Sequence, residues 1–301
     1  MNGAMRCACC ALRSIQVTYA PTDPGRDSNR PMSASRLRVR DGAQLVYELR
    51  GRVGDAPPVV LIHSLGMDRS FWNAVTPSLA QTTAVLLYDC RGHGQSDKPK
   101  GPYRIEQFAN DLADLMDGVG WRRAAAVIAG ASMGGCVALA FAAAYPARAL
   151  ALGLIDTTAW YDAPDKWEER AVAAEAKGLG ALVEFQTTRW FTDAFRLGRK
   201  DVVDASVATF LANSPRAYAD TCRMLGACNL TAALPRLAMP VRIAVGEEDY
   251  ATPVAMAETL HRGIAGSTLT IIDNARHLTP IETPERIVAE LRALIETVPA
   301  Q

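Results

Sequence analysis

The sequence predicts an α/β fold, with a mostly parallel sheet, helices on both faces and a helical insertion that caps the core. Three observations carry this. Short apolar runs bounded by turn residues recur along the chain, as strands covered on both faces of a sheet require. Stretches with helical apolar spacing lie between them, and such alternation means βαβ units. One stretch, from about Trp160 to Ala233, breaks the rhythm with helical spacing alone, rich in Ala, Glu, Arg and aromatic residues. At roughly 70 residues it is too long to be a connecting loop.

The elements follow in order. Leu37 to Arg40 and Gln44 to Leu49 alternate apolar and polar residues around Asp41-Gly42, a hairpin signal. Pro58 to Ile62, Ala84 to Tyr88, Ala124 to Ala129 and Leu150 to Ile155 are the buried-strand candidates. Phe71 to Leu79, Ile105 to Val119 and Gly134 to Tyr145 read as the helices between them. After the insertion the alternation returns with Val241 to Val245, Met256 to Arg262, Leu269 to Ile272 and Pro284 to Thr297. Thr283 stands as the expected cap of that last helix, with Pro284 at its first position. The expected organisation is a tail over residues 1–34, a core from 35–158 and 234–301, and a cap over 159–233. No internal repeat is apparent.

Composition narrows the function. The chain has 301 residues, 49% hydrophobic and 21% charged, with 32 Lys plus Arg against 32 Asp plus Glu. A nucleic-acid partner is not expected, because binding one requires a basic surface to displace counterions. A membrane partner is not expected either. The uncharged stretch from Ala124 to Ala147 is long enough to span a bilayer, but Gly130, Ser132, Gly134 and Gly135 fall in its middle and Pro146 near its end. A strand, a tight turn and a buried helix account for it better. Of seven cysteines, Cys7, Cys9 and Cys10 crowd the N-terminus without a zinc spacing, and the rest are scattered. That usage fits a reducing cytoplasm. Arg6 and Arg13 interrupt the first 31 residues, which argues against a secretory signal, and Met32 opens the first domain-like stretch as a candidate start. The sequence carries no signal for an oligomeric state.

Gly130-Ala131-Ser132-Met133-Gly134 is a G-x-S-x-G pentapeptide between an apolar strand and an apolar helix. A sharp turn there can hold a serine exposed, with the free N–H groups of the helix aimed at the reacting centre. A serine hydroxyl needs a base. Of four histidines, His277 follows the last apolar strand, whereas His261 lies inside an expected helix and reads as a surface residue. The acid should come from Gly246-Glu247-Glu248-Asp249, where Asp249 is the first choice and Glu248 the alternative. The acid would hold the imidazole in the right tautomer.

Taken together, Gly130 to Gly135, Asp89-Cys90-Arg91-Gly92-His93-Gly94-Gln95-Ser96, Gly246 to Asp249 with Pro253, and His277 resemble the marks of an α/β-hydrolase with a helical cap. Within that superfamily the chain is similar to 3-oxoadipate enol-lactonases in Ser64-Leu65-Gly66, Trp167 with Arg170, Arg189-Trp190-Phe191-Thr192, and Tyr218-Ala219 with Cys222. The resemblance implies an oxyanion hole from the N–H groups of Leu65 and Met133. His63 departs from the Asn that enol-lactonases commonly carry there, and would orient the loop by hydrogen bonding. His93 would brace the loop under the site.

The resemblance implies a serine hydrolase that opens a small enol-lactone through an acyl-enzyme, without metal or organic cofactor. Trp160, Trp167, Phe185, Trp190, Phe191 and Phe195 supply aromatic area to roof a pocket. A carboxylate on the lactone would need a cationic partner there, Arg189 or Arg170, with Arg189 favoured because aromatics flank it. Trp160 and Trp190 complete the expected binding set. The alternatives are a carboxylesterase or perhydrolase acting on small neutral esters, and a ligand-binding protein on the same scaffold.

Overall fold

The computed structural model describes residues 34–298 apart from 53, 55 and 123. The N-terminal cysteines, Met32 and nearly all of the expected tail lie outside the described residues.

Among the described residues eight strands form one sheet: β1 (Ser35–Arg38), β2 (Gln44–Arg50), β3 (Val59–Ile62), β4 (Val85–Tyr88), β5 (Ala126–Ala131), β6 (Ala149–Ile155), β7 (Val241–Gly246) and β8 (Thr268–Ile272). Their spatial order is β1-β2-β4-β3-β5-β6-β7-β8. The β1–β2 hairpin pairs antiparallel, β2 runs antiparallel to β4, and every later pair is parallel. All residues of β3, β4 and β5 are buried, which explains why they read as unbroken apolar runs.

Helices α1 (Thr76–Leu79), α2 (Ile105–Gly118) and α3 (Met133–Ala144) connect the first strands. Between β6 and β7 come α4 (Pro164–Lys177), α5 (Val183–Trp190), α6 (Asp193–Gly198), α7 (Lys200–Leu211) and α8 (Pro215–Ala227). Then follow α9 (Val254–Gly263), α10 (Thr279–Glu282) and α11 (Pro284–Glu296). Helices α2 and α3 pack together over β3, β5 and β6, while α11 covers β5, β6 and β7 from the other face beside α1. The uncharged stretch resolves into β5 and α3, and no helix among the described residues is long and apolar enough to cross a membrane.

Two local expectations need correction. Phe71 to Leu79 is not one helix but a 3₁₀ turn over Arg69–Trp72 followed by the single turn α1. Asp68 caps the first piece by accepting from the Ser70 N–H at 2.8 Å. Pro77 has no N–H with which to continue a helix back to Asn73. Thr283 precedes α11 but does not cap it with its side chain. Its hydroxyl donates instead to the carbonyl of Thr279, the first residue of α10, at 3.2 Å.

Candidate active site

The site assembles at the carboxyl ends of the parallel strands, where an open α/β sheet offers its crevice. Ser132 sits between β5 and α3 with φ 54° and ψ −118°, a left-handed conformation that a side-chain-bearing residue adopts at a cost. Its neighbours explain how the turn closes so tightly. A Cβ on Gly130 would run into the Gly134 carbonyl, and one on Gly134 into the Ile62 carbonyl of β3.

Asp249 follows β7 and His277 follows β8. His277 Nδ1 lies 2.8 Å from Asp249 Oδ2, and its Nε2 lies 2.9 Å from Ser132 Oγ. The carboxylate fixes the tautomer: Nδ1–H donates to Asp249, which leaves Nε2 to accept from the serine hydroxyl. Asp249 is itself held by the N–H groups of Ala251 and Thr252 at 2.7 and 2.8 Å and by the Thr252 hydroxyl at 2.7 Å. Glu248 turns away toward Arg276, 3.4 Å from its Nε. His261 is exposed on α9 and pairs with the Ser267 hydroxyl.

Leu65 follows β3 and Met133 begins α3, on the β3 side of Ser132. Among the described residues neither backbone N–H has an acceptor, so both are available to a ligand atom. His63 lies wholly buried beneath this loop, accepting from the Cys90 N–H at Nε2 (2.9 Å) and donating from Nδ1 to the Ser64 carbonyl at 2.8 Å. It ties the Leu65 loop to the loop after β4. His93 packs edge-on against it, with ring centroids 5.2 Å apart.

A cavity of about 360 Å³ opens over Ser132 and His277. Trp167, Phe185 and Trp190 line it, while Phe191 is buried behind it and Phe195 lines a separate groove. Trp160 does not line the cavity. It is 41% exposed, because its backbone bridges to Asn229 and turns the side chain outward. Arg170 and Arg189 both line the cavity, and both guanidinium groups lie against Phe185, at 5.0 and 3.8 Å from the ring centroid. Lys166 lines it too and, among the described residues, no carboxylate does. Arg170 donates to Gln186 Oε1, and Gln186 donates to the buried Tyr218 hydroxyl at 3.0 Å. Arg189 has no side-chain hydrogen-bond partner among the described residues; burial and then repulsion from Arg170 lower its pKa.

Several contributors were not visible in the sequence. Asp156, directly after β6, accepts from the Gly246 N–H at 3.1 Å and from the Thr279 N–H and hydroxyl at 3.1 and 2.6 Å. It thus clips the acid loop to the histidine loop; burial, then Asp249, push its pKa well above the ordinary carboxylate range. Its place after an apolar strand, like that of Ser132, was the available signal. Arg276 binds the cap, donating to the Thr188 and Phe191 carbonyls at 2.9 Å each. Tyr161, Gln186 and Tyr250 line the cavity through contacts that sequence spacing does not encode.

This fold, with a serine at the strand–helix turn facing a carboxylate-held histidine, is that of a hydrolase, and the chain belongs to the alpha/beta hydrolase family, whose model matches residues 59–290. Among individual relatives it is similar to 3-oxoadipate enol-lactonase 1 of Acinetobacter baylyi, 29% identical over 259 residues that cover 86% of this chain and 96% of that one. The crystal structure of the enol-lactonase from Burkholderia xenovorans LB400 superposes with a TM-score of 0.83 at 32% identity, covering 87% of this chain and all of that one. A thermophilic esterase from Thermogutta terrifontis, solved with malate bound, gives 0.82 at 28% identity over 88% of this chain and 99% of its own.

Proposed function

We propose that this protein is a serine hydrolase that opens a small enol-lactone bearing a free carboxylate, of the 3-oxoadipate enol-lactone type. The observation that carries the substrate class is a cavity lined by Arg170, Arg189 and Lys166 and, among the described residues, by no carboxylate, with Arg170 and Arg189 both held against Phe185. Two like charges held against one ring cost stability, and an anion between them relieves that cost. Arg189 is the primary contact, because Arg170 is already engaged with Gln186.

Ser132 Oγ attacks the lactone carbonyl as His277 Nε2 takes its proton. The oxyanion accepts from the Leu65 and Met133 N–H groups, which are preorganised for it. Collapse breaks the ring C–O bond, and the leaving enol oxygen takes the proton back from His277. Water, deprotonated by His277, then attacks the acyl carbon and frees Ser132. Asp249 stays ionised throughout and stabilises the imidazolium. The enol tautomerises to the ketone after release. We place the enzyme in the cytoplasm, in the catabolism of aromatic compounds, where its free cysteines Cys90, Cys136, Cys222 and Cys228 would stay reduced.

Likeness to an esterase at 28% identity supports a second reading, hydrolysis of small neutral esters by the same triad. Ser132→Ala tests what both share. It should fold normally and lose turnover by about 10⁴-fold or more. Turnover within tenfold of the parent would exclude Ser132 as nucleophile.

A further inference from the structure

Asn213 lies just past α7, buried in the cap, and its side chain reaches across to the loop after β3. Its Nδ2 donates to the Gly66 carbonyl at 2.8 Å, and to the Thr209 and Phe210 carbonyls near the end of α7 at 3.0 and 3.2 Å. Three carbonyls around one atom fix which way the amide points, since the reversed amide would set oxygen against oxygen. Oδ1 is left buried without a partner among the described residues. That costs stability, so folding alone does not explain the amide.

Gly66 directly follows Leu65, whose N–H is one of the two oxyanion donors. The other side of that donor peptide is held from the core: the Ser64 carbonyl accepts from His63 Nδ1 at 2.8 Å and from the Met67 N–H at 3.1 Å. On the far side of Leu65, the Gly66 N–H has no acceptor among the described residues, and Asn213 is the one donor there to the Gly66 carbonyl. Packing agrees with the hydrogen bonding. Gly66 has φ 74°, and a Cβ on it would lie 2.8 Å from the Phe210 ring of α7 and 3.4 Å from the Tyr218 ring of α8. The turn that carries the Leu65 donor therefore rests on the cap. We infer that Asn213 is a positioning residue for the oxyanion hole, holding the Leu65–Gly66 turn from the cap so that the Leu65 N–H meets the developing oxyanion; this rests on the serine-hydrolase reading above. The cap then serves the chemical step as well as binding, because such donors act only where they are aimed at the charge that develops.

The test is Asn213→Leu, which roughly keeps the volume and removes the donor, assayed with p-nitrophenyl acetate. Acylation and deacylation both pass through an oxyanion, so both slow together. The kcat should fall about 10- to 100-fold while KM stays within about threefold. Butylboronic acid, whose boron bonds Ser132 Oγ and whose oxygen takes the oxyanion's place, should bind more weakly by a similar factor. A variant that only loosened the cap would raise KM instead. Asn213→Ala removes the same donor without adding bulk and should behave alike. A kcat within threefold of the parent, a loss carried by KM, an unchanged boronate affinity, or failure of both variants to fold would overturn the assignment. If Ser132→Ala is inactive while the Asn213 variants behave in one of those ways, only this inference falls. Turnover surviving in Ser132→Ala would instead remove the reading beneath it.

Discussion

His93 shows how a buried ring converts pH into stability. Burial, reinforced by the neighbouring His63, pushes its pKa down from 6.5 to about 3, and burial lowers His63 as well. The folded protein holds these rings neutral while the unfolded chain takes up protons below 6.5, so their contribution is complete above that pH. For His93 it is lost as pH falls from 6.5 toward 3, at about 1.4 kcal/mol per pH unit, and His63 adds a loss in the same direction. Urea midpoints measured between pH 7 and 4 should therefore fall, and His93→Phe should flatten the decline; an unchanged slope would contradict the linkage. Asp156 acts differently: it does not line the cavity, and it ties the strand end before Asp249 to the loop after His277. Replacing it by Asn turns an amide N–H toward one of the N–H donors it now accepts from. The expected result is a kcat loss on the order of 10²-fold with KM little changed, read from steady-state kinetics. Individual residues were unevenly legible. Ser132, Asp249 and His277 could be picked out because each sits in a turn after an apolar strand, and the structure brings His277 within hydrogen-bond reach of both other side chains. Trp160 could not be placed, since a sequence states that a residue is aromatic but not which way a backbone bridge turns it.

Among elements, the strands and long helices were readable from apolar spacing, and the failures have local causes. Pro77 divides a segment whose apolar pattern looked continuous, and Thr283 has its hydroxyl drawn to the helix before it. The tie between α5 and the loop after β8 was invisible, because it is made of backbone groups. The His277 and Leu278 N–H groups donate to the Arg189 and Trp190 carbonyls at 3.4 and 3.1 Å, and Arg276 spans the same junction. The helix that presents Arg189 is therefore bonded to the loop that presents the histidine. Arg276→Ala should lower unfolding free energy by about 2–4 kcal/mol, since it strands buried carbonyls, and should raise KM more than it lowers kcat. Denaturant unfolding alongside kinetics would show whether both changes appear.

At the scale of the whole molecule, Ser132, Asp249 and His277 sit at the ends of sheet strands, and the helices between β6 and β7 supply Arg170 and Arg189, to which the proposed function gives the choice of substrate. The strand–helix alternation, the insertion and the sheet class were legible because each depends on patterns repeated over tens of residues. The cavity was not, because its wall is drawn from segments far apart in the chain, from Ser64 to His277. Its charge follows from that assembly: Lys166, Arg170 and Arg189 line it and, among the described residues, no carboxylate does. The most direct test is kcat/KM for 3-oxoadipate enol-lactone beside p-nitrophenyl acetate, in the parent and in Arg189→Ala. The lactone should reach roughly 10⁴ M⁻¹s⁻¹ or more in the parent, far above the ester, and Arg189→Ala should lose activity on the lactone alone. Equal rates on the two substrates, or an Arg189→Ala variant that treats the lactone as the parent does, would contradict the lactonase reading.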